Sequence, residues 1–115
     1  MWTPAPESLI KKNIEWCNDI LSLNPSYLKL WEYIKIEPEK WSEDTMGNEG
    51  NGFWVVAIFG KNVIYYNDIE EGFNFSKFTT FGKIDEYQCS QLELHEVIIG
   101  IYDEINNLDK SLKIY

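Results

Sequence analysis

The chain has 115 residues, 44% hydrophobic and 16% aromatic, and carries 19 acidic against 10 basic residues for a formal charge of −9. That is one domain's length, able to bury roughly two-thirds of its unfolded surface, and its apolar content excludes a disordered polymer. All ten basic residues are lysines, so net charge and the missing arginine fork argue against nucleic acid and against an anionic membrane surface, and favour a basic protein partner or plain solubility.

Thr3-Pro4-Ala5-Pro6-Glu7 reads as a helix start, with a threonine cap, proline in the first turn and an early glutamate. Ile10, Ile14, Cys17 and Leu21 then recur at helical spacing, with Trp16 and Ile20 beside them. Asn24-Pro25 ends this helix, and a short second helical turn is expected from Pro25 to about Trp31. Tyr33-Ile34-Lys35-Ile36 is strand-like, and Pro38 assigns that strand to a sheet edge. Ser42 to Gly52, with Gly47, Gly50 and Gly52, reads as a polar loop of about ten residues.

Phe53 to Phe59 is a continuous apolar run of β-prone residues, the pattern of a strand buried on both faces. Gly60-Lys61-Asn62 turns the chain, and Val63-Ile64-Tyr65-Tyr66 returns as the hairpin partner. Alternation sends Tyr65 and Tyr66 to opposite faces, so at most one of them joins the core of a sheet covered on one side. Asn67-Asp68 and Glu71-Gly72 punctuate the next connection. Phe73-Asn74-Phe75-Ser76 alternates as a half-exposed strand, and Lys83 to Cys89 is a candidate last short strand. Ser90-Gln91-Leu92-Glu93 opens a final helix with serine at the cap, and Leu94, Val97, Ile98, Ile101 and Ile105 line one face. Asn106-Asn107 begins a polar tail. The order of helix, strands and helix predicts a single α+β domain over 1–115. It comprises an N-terminal helix, an antiparallel sheet of about four or five strands and a C-terminal helix packed on the sheet, with the helices on one side.

Cys17 and Cys89 lack CxxC spacing and read as buried free thiols of a reducing cytoplasm. Met1-Trp2-Thr3-Pro4 has no basic or apolar region of a secretory leader, and no run approaches the ~20 apolar residues of a membrane span. A cytoplasmic protein is expected. Frequent Ile, Asn and Lys without Arg is the usage of an AT-rich bacterial genome.

Catalytic machinery is not visible. His95 is the only histidine, and its helical neighbours Gln91, Ile99 and Tyr102 form neither a dyad nor a ligand set. Phosphate-cradling glycine loops, G-x-S-x-G and H-E-x-x-H are absent. No cofactor or metal is expected. Asp68, Glu70 and Glu71 form a tight acidic cluster that fits a solvated turn or partner contact, a calcium site without EF-hand spacing, or a carboxylate pair of a small enzyme or ligand-binding domain. From Glu37 to Glu71 eight carboxylates meet only Lys40 and Lys61, interleaved with Trp41, Trp54, Tyr65 and Tyr66. Aromatic anchors dominate interface energies, and charged rims steer association. The candidate partner-binding residues are therefore Glu37, Glu39, Trp41, Tyr66, Asp68, Glu70 and Glu71.

The stretches Leu30-Trp31-Glu32-Tyr33-Ile34-Lys35-Ile36-Glu37-Pro38-Glu39-Lys40-Trp41, Gly52-Phe53-Trp54-Val55-Val56-Ala57-Ile58-Phe59-Gly60 and Ile64-Tyr65-Tyr66-Asn67-Asp68-Ile69-Glu70-Glu71-Gly72-Phe73-Asn74 carry a resemblance. They resemble a group of small bacterial proteins found beside polymorphic or contact-dependent toxins as immunity proteins, with a looser similarity of layout to SUKH-type immunity domains. The resemblance implies a non-enzymatic protein that neutralises a cognate toxin domain by masking a basic surface.

Overall fold

A computed structural model describes residues 2–112, with side-chain surroundings through residue 107. The elements run α1 (Glu7–Leu21), α2 (Pro25–Ile34), β1 (Lys35–Trp41), a 3-10 turn (Gly47–Gly50), β2 (Phe53–Phe59), β3 (Asn62–Asn67), β4 (Gly72–Lys77) and α3 (Leu94–Leu112). The strands form an antiparallel meander in spatial order β1-β2-β3-β4, which gives the expected α+β class with four strands.

Helix boundaries differ from the sequence reading for local reasons. Pro6, not Thr3, holds the position before α1, and it offers no side-chain cap. α2 is longer than a turn: the Asn24 side chain accepts the Ser26 N–H at 3.0 Å, Pro25 leads, and the helix continues through Tyr33 and Ile34. Trp31 and Ile34 are both buried, so the three-residue helical spacing overrides the β-prone composition. β1 therefore begins at Lys35, and it is an edge strand whose register shifts between Lys35 and Glu39, the interval that holds Pro38. At α3 the cap lies three residues beyond Ser90. The Glu93 N–H donates to Glu96 Oε1 at 2.8 Å, the back-bonding half of a capping box, with Leu94 as first helical residue. The helix continues through Asn106-Asn107 to Leu112, where the sequence suggested a polar tail.

The sheet is covered on both faces. On one side α1, α2 and α3 bring Ile10, Cys17, Leu21, Trp31, Leu94 and Ile98 onto Val56, Ala57, Ile64, Tyr66 and Phe73. On the other side Trp41, Phe53, Val55, Val63, Tyr65 and Ile84 form a second, smaller core. Strand alternation assigns residues to these cores with one break. Val56 and Ala57 are consecutive yet belong to the same core, and β2 shifts register against β3 between Val55 and Ala57. A bulge there supplies the extra residue and bends the strand. Tyr65 and Tyr66 do point to opposite faces, and both are buried because neither face is left to solvent.

The second core is closed by residues 78–92, which contain no strand; the expected strand over Lys83–Cys89 is replaced by an isolated parallel bridge, Ser42 with Lys83. The Ile84 N–H bonds to Ser42 O beyond the end of β1, and the next N–H, of Asp85, bonds to Lys77 O at the end of β4. β1 and β4 are the two edges of the sheet, and a flat sheet would hold them about 14 Å apart. Adjacent residues reach both, so the sheet curls and its second face is concave. Cys17 is buried as expected, whereas Cys89 is exposed within this covering segment.

Gly52 adopts φ +94°, and a β-carbon there would stand 2.1 Å from Trp41 O. Gly82 has φ +93° with open space around it. Gly52→Ala is expected to cost about 3 kcal/mol or more, and Gly82→Ala only about 1–2 kcal/mol, in urea unfolding. Equal losses would show that the backbone clash is not what fixes the β1–β2 connection. Burial pushes the Cys17 thiol up to about 12 and, as the main cause, the Tyr65 phenol up to about 12. Both groups stay protonated in the folded chain at pH values where the unfolded chain ionises, from about 9 for the thiol and about 10 for the phenol. The unfolded state then binds fewer protons, so stability is full below about pH 9 and falls as pH rises towards 12. Thermal melts between pH 8 and 11 check this, and a flat profile would contradict it.

Candidate functional site

An antiparallel meander brings alternate connections to the same end of its sheet. Trp41 pairs with Phe53, Trp54 with Tyr66, and Asn67 with Gly72. The 42–52 connection and the 68–71 turn therefore emerge at one end, which brings Glu43, Asp44 and Glu49 to the same end as Asp68, Glu70 and Glu71.

The N-terminal segment crosses this end and ties the connections together. The Trp2 indole N–H donates to Asp68 Oδ1 at 2.7 Å, and the Ala5 N–H donates to Asp68 Oδ2 at 2.8 Å. The Trp54 indole N–H donates to Ala5 O at 2.8 Å. The Trp2 ring also lies against Gly50, where a β-carbon would stand 2.6 Å from its Cζ2. Asp68, 9% exposed, thus has both carboxylate oxygens engaged by its own chain. It is a structural anchor rather than a solvated turn residue.

Glu43 is a second structural carboxylate, which sequence reasoning grouped with the surface charge. It is 1% exposed and accepts the N–H groups of Thr45, Met46 and Gly47 at 3.0, 2.8 and 2.9 Å. A buried carboxylate held this way closes the loop turn much as an N-cap does. The signal in the sequence was Glu43-Asp44-Thr45-Met46-Gly47, an acid four residues before a glycine. Asn67 performs a similar service, its Oδ1 accepting the N–H groups of Ile69 and Glu70.

The other candidates separate into three groups. Trp41, 2% exposed, belongs to the second core, with its indole N–H on Glu39 Oε1 at 2.8 Å. Tyr66, 9% exposed, belongs to the helix-side core. Neither offers the aromatic surface expected of a contact anchor. Glu37 and Glu39 are exposed on edge strand β1, away from the 68–71 turn. Glu37 borders an open groove of about 480 Å³ between α1 and β1, which also receives Lys11, Glu15 and Lys35. Glu70 is half-buried and Glu71 exposed, the latter at φ +58°.

Tyr66 reports the field at this end. Burial raises its phenol pKa first, and the carboxylates of Glu71, Asp68 and Glu93 raise it further. Glu93, at the start of α3, was not among the sequence candidates; Gln91, two residues before it, donates its side-chain N–H to Glu70 O at 3.0 Å. Glu49 is exposed in the 3-10 turn Gly47–Gly50, within the connection that emerges at the same end. Among the described residues the ion pairs are Lys11–Glu7 and Lys83–Asp44, so Glu49, Glu70, Glu71 and Glu93 face no paired cation. The Lys83 and Asn48 side chains hold the Asp44 carboxyl below its ordinary range.

His95 lies elsewhere, half-buried on α3, with its ring edge-on to Trp16 at 5.2 Å between centroids. Its Nδ1 has no hydrogen-bond partner among the described residues, so nothing orients it as a base. Among the described residues no group of three or more His, Cys, Asp or Glu is placed to hold a metal ion, and no helix is long and apolar enough to cross a membrane. No protein family, curated protein or solved structure matches the chain.

Asp68→Ala is expected to leave the Trp2 indole and the Ala5 amide unpaired and to cost about 2–3 kcal/mol, with Asp68→Asn retaining part of it. Amide exchange at Ala5 should accelerate in the alanine variant. An unchanged Ala5 amide would show that the N-terminal segment is held by packing alone.

Proposed function

We propose that this chain is a protein-binding, immunity-type protein that acts in the bacterial cytoplasm and neutralises a cognate toxin by covering a basic surface. The observation that carries the reading is the gathering of Glu70, Glu71 and Glu93 at the end of the sheet where the 42–52 connection with Glu49 also emerges, none of the four in an ion pair among the described residues. Carboxylates fixed on a rigid frame attract a basic surface over distance and raise its association rate. Glu37 and Glu39 extend the negative surface along β1.

Asp68 contributes its charge but stays bound to Trp2 and Ala5, so it is excluded from the contact test. The partner to assay is the polypeptide encoded beside this chain. Reversal of Glu49, Glu70 and Glu71 to lysine is expected to slow association about tenfold to a hundredfold and to flatten its dependence on salt. Stopped-flow binding and growth protection read this directly. Unchanged binding and protection would remove the acidic end from the contact surface.

A further inference from the structure

α1 carries a second apolar stripe. Ile10, Cys17 and Leu21 are buried in the core. Displaced by about 100° around the helix, Leu9, Trp16 and Ile20 lead to Leu23 in the turn beyond it. Leu9 is 38% exposed, Trp16 46% and Leu23 86%. The Trp16 ring meets His95 of α3 on one side and solvent on the other. α3 also carries exposed Gly100, where a β-carbon would meet nothing within 4 Å. Glycine weakens a helix interior, and no neighbour in its own chain requires it there.

We propose that two copies of this chain associate through α1 about a two-fold axis at Trp16. A two-fold axis presents the same patch from both copies, so the patch must complement itself. This stripe does. Rotation about Trp16 sets Leu9 against the second copy's Leu23, Asn13 against its Asp19, and Lys12 against its Ile20. Lys12 lies one residue from Asn13, so its ammonium also reaches the second copy's Asp19, while its methylene stem covers Ile20. Lys12 and Asp19 are both exposed, and neither belongs to an ion pair among the described residues. The axis brings the exposed Glu15 of each copy to the same flank, a repulsion that salt also screens. Trp16 lies about 13 Å along α1 from Glu7, so the axis stands apart from the acidic end. A basic partner suits that end, whereas this stripe, with one lysine and one aspartate, suits a copy of itself.

The two kinds of association differ in their response to salt. Two copies of charge −9 repel, and added salt screens the repulsion, so self-association strengthens with ionic strength. Sedimentation equilibrium of the purified full chain at low and high salt is the test. Dimers are expected, tighter at high salt. Trp16→Glu should weaken them at least about tenfold. Asp19→Lys should also weaken them, and the swap Lys12→Asp with Asp19→Lys should restore most of the loss. Asp19 is exposed and outside the core, so its variants carry the test even if Trp16→Glu disturbs folding. A monomer at every concentration would overturn the proposal. A dimer indifferent to Trp16→Glu and to Asp19→Lys would overturn it equally, by placing the interface elsewhere.

Discussion

Four side chains of the sheet hold the segment on which the second core depends. Tyr65 Oη accepts the Gln88 N–H at 2.7 Å and donates towards Glu86 O at 3.0 Å. The Asn67 amide donates to Gln88 O, Asn74 exchanges bonds with both backbone groups of Ser90, and Ser76 Oγ accepts the Glu86 N–H. Buried backbone groups must find partners. Backbone bonds to the sheet tie the covering segment at Ile84, Asp85 and Leu92, and from Glu86 to Ser90 side chains of the sheet supply the partners instead. Gly72 permits the closest approach, since a β-carbon there would stand 2.4 Å from Ser90 O and from Gln91 Cα. Without this array the concave face would expose Phe53, Val55, Val63 and Tyr65 to water.

The curl of the sheet follows from the same arrangement. Bulges in β1 and β2 bend the strands, and the covering segment links the outer edges at Ser42 and Lys77. Trp41 packs its ring edge against Phe78 at 5.1 Å and near Phe81 at 4.8 Å, and so fills the gap between the edges. That filling takes Trp41 out of any surface role. It also explains why a sheet of four strands buries two cores: three helices cover the convex side, and one irregular segment suffices for the smaller concave side.

Periodicity made most of the frame legible. Ile10, Cys17 and Leu21 lie where helical spacing sets them, Phe53–Phe59 is central, and Pro38 sits on an edge strand. Alternation also separated Tyr65 from Tyr66. It did not show that both faces were covered, because the cover comes from a segment with no period of its own. Asn74 and Ser76 look like solvent-facing positions of β4, yet both are buried as anchors for that cover. Likewise, composition marks Glu43 and Asp68 as charge, but only the fold shows that the N–H groups of neighbouring turns and of Trp2 and Ala5 consume them. Glu93 escaped the reading because its proximity to Glu71 is made by α3 returning to the sheet, at a sequence separation no local pattern spans.

The distribution of charge is more informative than its sum. Solubility needs net charge, and charge spread over the whole surface supplies it with little mutual repulsion. Here Glu43 and Asp68 are absorbed by the fold and Asp44 is paired with Lys83, while Glu49, Glu70, Glu71 and Glu93 lie at one end of the sheet outside any ion pair among the described residues. Two such carboxylates about 8 Å apart repel by roughly 0.5 kcal/mol in water, and by more beside the low-dielectric body of a protein. Two lysines also reach this end, but both are engaged: Lys40 donates to Gly50 O and sits over the Trp54 ring, and Lys83 pairs with Asp44, so neither forms an ion pair with these four carboxylates. Solubility alone gives no reason for that concentration. The basic partner proposed above would supply one: its approach would turn each repulsive pair into a shared attraction, and the rigidity supplied by Trp2, Asp68 and Asn67 would keep the carboxylates in place before it arrives.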